Sequence, residues 1–185
     1  MIGWGFRYKM IDEIKSKKAD ILRWHDSGDF MSPEYLEVAL DIARATPNVI
    51  HYAYTKMISN VKGSEVPPNF HFTFSVDDEA PENDLIDLKN DKHSIVVPVD
   101  VTKDLTIKNK DDKKVRYRSD EDKDEVKNRI SKRYNVPKEK LVTYDELTNS
   151  DEIIGDRKYV IVLPKEGDMG AVRKDILGIF LIMHK

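Results

Sequence analysis

One strand–helix–strand unit near the start of the chain constrains its fold more than any other feature. Residues 20–26, Asp-Ile-Leu-Arg-Trp-His-Asp, read as a strand, and Ser27-Gly28-Asp29 breaks it. Ser32-Pro33-Glu34-Tyr35 then reads as a helix start, with Ser as N-cap, Pro at the first helical position and an acid in the first turn. Tyr35, Leu36, Val38, Ala39, Ile42 and Ala43 supply its buried face, and Thr46-Pro47-Asn48 ends it. Residues 49–55, rich in β-branched and aromatic side chains, form the next strand. A helical crossover between two strands points to parallel pairing, because antiparallel neighbours need only a short turn.

The rhythm continues. A third strand is expected over 70–76 after Pro67-Pro68-Asn69, a short helix over 81–88, and a fourth strand over 94–101 with an irregularity or edge at Pro98. Ahead of the first strand, Met10, Ile11 and Ile14 line one side of a helix. The character changes at Thr102. A charged hairpin is expected from 105–108 and 114–118, then a highly charged helix over 120–134 whose apolar content is Val126 and Ile130. Short helical turns come next at 137–141 and 144–147, then a turn at 153–156 and a last strand over 158–163. Residues 170–184 are read as a last helix that buries Val172, Ile176, Ile179, Phe180 and Met183. The expected fold is α/β: a single domain, 1–185, of parallel β-α-β units forming an open sheet or a partial TIM-like barrel, with residues 102–156 as a charged insertion.

Charge is unevenly spread. Residues 103–140 carry 14 Lys/Arg against 9 Asp/Glu, whereas the whole chain has a formal net charge of -3. There is no cysteine, which excludes disulfides, thiolate nucleophiles, Cys-type zinc sites and Cys-ligated iron–sulfur clusters within this chain. No apolar run reaches the roughly 18 residues of a membrane span. The first 18 residues lack the apolar stretch of a signal peptide, so a cytoplasmic location is expected.

Ligands of parallel sheets bind beyond the carboxyl ends of the strands. Those ends carry His25, Asp26 and Asp29 after the first strand, Thr55 and Lys56 after the second, and Ser75, Asp77 and Asp78 after the third. Asp100 closes the fourth, and Lys165, Glu166 and Asp168 come after the last. His25, Asp26, Asp29, Lys56 and Asp77 are the catalytic candidates, with Asp26 and Asp29 able to hold a divalent metal. The competing reading is structural: Asp26 and Ser27 bond the turn, Gly28 supplies its shape and Asp29 caps the next segment of chain. A site built from His25, His51 and His71 is disfavoured, because His25 ends its strand while the other two begin theirs, roughly 10 Å apart at the rise of a strand. His93 and His184 are expected at the surface or at element ends. Lys108, Lys113, Lys114, Arg116, Tyr117 and Arg118 interleave bases with an aromatic and are the candidate nucleic-acid or protein interface, diluted by Asp104, Asp111 and Asp112. Gly167-Asp168-Met169-Gly170 could turn backbone N–H groups toward an anion but matches no phosphate-loop motif.

Two stretches resemble a known family. Ile21-Leu-Arg-Trp-His-Asp-Ser-Gly-Asp-Phe-Met-Ser-Pro-Glu-Tyr35 and Ala43-Arg-Ala-Thr-Pro-Asn-Val-Ile-His-Tyr-Ala-Tyr-Thr-Lys56 are similar to the phage and plasmid gene product 88 family. The family repeats a His-x-Ser-Gly-Asp-Phe-x-Ser-x-Glu-Tyr block, a helix, and an aromatic strand closing in Tyr-Thr-Lys or Tyr-Thr-Arg. The resemblance implies a phage origin and kinship to radical-SAM-type partial barrels. Members tend to carry cysteine clusters around this core. This chain has none, so it is not a radical-SAM enzyme.

The expected function is therefore a phage-encoded binding or regulatory protein, acting on a host protein of the transcription or replication machinery, with no cofactor and no membrane. The alternatives are a metal-dependent phosphoester hydrolase using the strand-end carboxylates, and nucleic-acid binding through the basic hairpin.

Overall fold

A computed structural model describes residues 4–77, 82–98, 101, 106–108, 115–117, 120–163 and 166–182. The chain divides into two compact units, Met1–Asp91 and Lys92–Lys185.

The first unit is a three-stranded parallel sheet with helical crossovers. Strands β1 (Ile21–Trp24), β2 (Ile50–Thr55) and β3 (Phe70–Val76) lie in that order. Helix α1 (Trp4–Ser16) precedes β1, α2 (Pro33–Ala45) links β1 to β2, and α3 (Ile58–Lys62) links β2 to β3. The start of α2 is as its residues dictate: the Ser32 hydroxyl accepts from the Tyr35 amide and Pro33 opens the helix. Its side chains Leu36, Val38, Ala39, Leu40, Ile42 and Ala43 are buried, and α1 packs on it with Ile14 in the same core. Trp24, Phe30, Phe70 and Phe74 fill the rest of that core, with Phe70 and Phe72 stacked at 4.4 Å. The short helix expected at 81–88 is a single 3-10 turn, Asn83–Leu85; Pro81 lies outside the described residues.

The second unit holds a four-stranded parallel sheet. Its strands are β4 (His93–Val97), β7 (Leu141–Thr143), β8 (Lys158–Val162) and β9 (Ile176–Ile182), in the order β4-β9-β8-β7. Strands β5 (Thr106–Lys108) and β6 (Val115–Tyr117) pair antiparallel as the expected hairpin. Helix α4 (Asp120–Tyr134) buries Val126 and Ile130 completely, α5 (Tyr144–Thr148) comes after β7, and α6 (Met169–Val172) precedes β9. The fold is thus α/β with open parallel pairing.

Two expectations are corrected. The expected helix over 170–184 is not formed in its described part, 170–182: α6 ends at Val172, and Ile176–Ile182 is a strand lying between β4 and β8. A central parallel strand is covered on both faces, so it reads as an unbroken apolar run that also satisfies helical spacing. Gly178 carried the missed signal. A Cβ there would sit 2.3 Å from the Tyr159 ring and 3.1 Å from His93 Nε2, so the neighbouring strands' side chains need the glycine. The fourth strand stops at Val97, because Pro98 cannot donate to a ladder; its carbonyl accepts from the Val101 amide instead, and residues 99–100 of the expected strand lie outside the described residues. His93 lies at an element end, as expected, and is buried there as the first residue of β4. His184 lies outside the described residues.

Candidate functional site at the carboxyl edge of the first sheet

Because β1, β2 and β3 run parallel with Trp24 beside Ala53 and Thr55 beside Phe74, the residues just past each strand meet at one edge. His25, Asp29, Lys56 and Asp77 are brought together there, as the strand reading expected. Asp29 ties the first two strand ends. Its Oδ1 accepts from the Phe30 amide at 2.7 Å and the Thr55 hydroxyl at 2.5 Å, and its Oδ2 accepts from the Lys56 amide at 2.8 Å. The Thr55 oxygen in turn accepts from the Met57 amide at 3.0 Å. Lys56 and Asp77 form an ion pair that carries the brace to the third strand end. Asn83 continues it, donating to the Asp77 carbonyl and accepting from the Asp77 amide. Glu82 takes both the amide and the hydroxyl of Ser59, which hold its carboxyl below the ordinary range.

His25 leaves β1 in a left-handed conformation, φ 54°, which costs a non-glycine residue of order 1 kcal/mol or more. Its Nε2 lies 2.7 Å from the Tyr35 hydroxyl, its ring tilts against Phe30 at 4.5 Å, and its Nδ1 is buried without a partner. Burial pushes the imidazole down from its ordinary value, opposed by the charge of Asp29. Asp26 and Gly28 are exposed on the turn, where Gly28 adopts φ 94°.

His51 is used otherwise. It is fully buried, its Nδ1 accepts from the Trp24 indole at 3.1 Å, and its Nε2 lies 2.9 Å from Thr46 Oγ1, whose proton goes to the Ile42 carbonyl. An indole can only donate and the threonine proton is already committed, so the ring is neutral with its hydrogen on Nε2. Burial lowers it to about 4. In register His51 stands beside Leu22 and His71 beside Tyr52, short of His25, as the height argument against a three-histidine site requires. Among the described residues no three His, Asp or Glu side chains group as a metal centre would need.

Sequence reasoning did not find Tyr35, Ser59, Glu82 and Asn83 as members of this edge. Tyr35 was legible only as a face of α2, and the others sit in short connections whose folding back has no local signature. Asp78, Asp100, Lys165, Lys113, Lys114 and Arg118 lie outside the described residues, as do the side chains of Lys108, Arg116 and Tyr117. The run 167–170 opens a four-residue helix, too short to direct N–H groups at an anion.

The family model described as gene product 88 matches residues 5–143. The chain belongs to the gene product 88 family. The family match contains the whole brace of the first unit and extends through α4 to β7, beyond the two stretches that carry the resemblance in the sequence. No curated protein and no solved structure matches the chain.

Proposed function

We propose that this is a phage-encoded binding protein that acts in the host cytoplasm by engaging a host protein, on a scaffold like that of radical-SAM partial barrels but without a cofactor. One observation carries the preference over a hydrolase. Asp29, the better-placed carboxylate of the strand-end cluster, has three of its four acceptor positions filled by its own chain. A metal ligand or a general base needs those lone pairs for its cation or its proton. The edge therefore serves to fix three strand-end loops. Support also comes from the absence of any cysteine with which to hold a cluster.

The test pairs two measurements. Calorimetric titration of the protein with manganese(II) should give no heat of binding, and Asp29→Asn should lower thermal stability, by about 1–2 kcal/mol for a lost acceptor, without a metal-dependent difference. Stoichiometric manganese binding abolished by Asp26→Asn or Asp29→Asn would instead establish the metal-dependent hydrolase. The nucleic-acid alternative rests on the antiparallel pairing of β5 with β6 in a Lys/Arg-rich stretch. It requires DNA or RNA affinity that falls steeply with salt.

A further inference from the structure

We propose that the loop between β1 and α2 is the surface that engages the partner, with Met31 seated in an apolar pocket bordered by Lys and Arg side chains on a second protein. This rests on the binding-protein reading above and names its contact surface. Met31 is 74% exposed. Single apolar residues in water are ordinary, so exposure alone decides nothing. What distinguishes Met31 is that the chain is fixed on both sides of it. Before it, Phe30 is fully buried; its amide donates to Asp29 Oδ1 at 2.7 Å and its carbonyl accepts from Asn60 Nδ2 at 3.0 Å. The Met31 amide donates to the Asp29 carbonyl at 3.0 Å. After it, Ser32 caps α2, accepting from the Tyr35 amide through its hydroxyl at 3.2 Å and from the Leu36 amide through its carbonyl at 3.1 Å. Asp29 ties this loop to Thr55 and to the Lys56 amide. The brace therefore holds an apolar side chain out in water on an ordered backbone. A thioether adapts its torsions to the pocket it meets, and seating it costs little beyond its own rotamers.

Charge selects the occupant. The charged side chains of the strand-end segments, residues 25–34, 55–59, 77 and 82–83, are Asp26, Asp29, Glu34, Asp77 and Glu82 against Lys56 alone, a balance of -4. His25, pushed below its ordinary value by burial, adds no positive charge at neutral pH. Farther along α3, Lys62 is paired with Asp91 and changes nothing net. The preceding stretch, residues 4–24, carries six Lys/Arg against three Asp/Glu, so the acidity belongs to this edge and not to the unit at large. Nucleic acid and an anionic bilayer are repelled from such an edge, whereas a protein surface lined with Lys or Arg is steered onto it. A bare cation is a poor occupant, because Asp29 is bonded to its own chain, Asp77 is paired with Lys56 and Glu82 accepts twice from Ser59.

The experiment places the photo-crosslinker p-benzoylphenylalanine at position 31 of the full chain, and at position 154 as an exposed control, and irradiates each in host lysate. Mass spectrometry identifies the crosslinked peptide, and calorimetry with that purified protein compares wild type with Met31→Ser, Asp26→Lys and Ile154→Ser. Position 31 should crosslink one protein within a segment rich in Lys or Arg, and position 154 should not. Met31→Ser should weaken the complex about tenfold or more, as expected for a central apolar anchor. Asp26→Lys should slow association and flatten its dependence on salt. Ile154→Ser should bind as wild type does, and all three should keep the wild-type melting temperature. Wild-type affinity in Met31→Ser, or a crosslink to an acidic segment, would overturn this inference and leave the binding function standing. No crosslink from either position, with no protein retained by immobilised wild type, would overturn both. A crosslink to nucleic acid, or a Met31-dependent dimer in sedimentation, would replace the host protein with that occupant.

Discussion

In the first unit the carbonyls at the end of a crossover helix are gathered by a neutral amide; in the second they are gathered by a cation. Asn69, immediately before β3, donates through Nδ2 to the carbonyls of Ala43, Thr46 and Val49 at 3.0, 3.1 and 2.9 Å. Lys92, immediately before β4, donates through Nζ to Gly170, Ala171 and Arg173 at 3.2, 3.0 and 2.6 Å. The problem is the same. Parallel sheets bring helix C-termini to the amino edge, where carbonyls without helical partners accumulate. The solutions differ in charge. Burial pushes the Lys92 ammonium down to about 8, so it stays protonated at neutral pH and keeps the hydrogens its carbonyls use. Arg173 repeats the cationic solution on Leu147, Ser150 and Asp151 and adds Asp175. Burial pushes the Asp175 carboxyl up, yet the hydrogen bonds from Arg173 and the Ile153 amide hold it below its ordinary range. The first unit buries a titratable ring too, but keeps it neutral. One unit therefore depends on charges staying paired, the other on a ring staying uncharged.

The largest expected effect breaks the charged solution. Arg173→Met leaves the Asp175 carboxylate buried without its cation and takes a donor from the carbonyls of Leu147, Ser150 and Asp151, of which Leu147 keeps the Ser150 amide and hydroxyl. Urea unfolding, tracked by hydrogen exchange in β8 and β9, should show the second unit weakened by about 3–5 kcal/mol. A loss below about 1 kcal/mol would mean that the pair is dispensable.

Next comes the neutral solution. The unfolded imidazole binds a proton near pH 6.5, whereas folded His51 binds one only near 4. The unfolded state holds more protons between those values, so stability is full above about 6.5 and declines as pH falls toward 4. The total is about 3 kcal/mol, from roughly 1.36 kcal/mol per pKa unit. Urea midpoints for the first unit should trace this decline, and His51→Gln should flatten it. A wild-type profile without slope in that window would contradict the neutral ring.

Asn69→Ala is expected to cost about 1–3 kcal/mol through three under-satisfied carbonyls. Asn69→Asp should be no better, since a carboxylate cannot donate, whereas Lys92→Met tests the charged counterpart by the same denaturation. The smallest effect belongs to the surface. Lys56 and Asp77 are both well exposed, so Lys56→Met should cost less than about 1 kcal/mol, and the cost should shrink further at high salt.

Much of the first unit was legible because its punctuation is local. Ser32-Pro33 and Thr46-Pro47 bracket α2, and strands 50–55 and 70–76 place an aromatic at every second position, Tyr52 and Tyr54 in one and Phe70, Phe72 and Phe74 in the other. The second unit was less legible. A three-residue strand such as β7 carries too little pattern to be seen, and β9 presents the same apolar run that a buried helix would. At the candidate edge, His25, Asp29, Lys56 and Asp77 emerged from topology alone, since parallel neighbours place their ends together. Tyr35, Glu82 and Asn83 did not, because their partners lie 6 to 23 positions away along loops whose course only packing sets.

The amino acids by themselves determined the class of the fold, the family and the exclusion of thiol chemistry, since each depends on local pattern or on which residues exist at all. The tertiary structure alone decided which polar side chains are already spoken for. A carboxylate in a sequence is an open valence; whether Asp29 offers it to a ligand or to Thr55 and Lys56 depends on where a strand twenty-six residues away comes to rest.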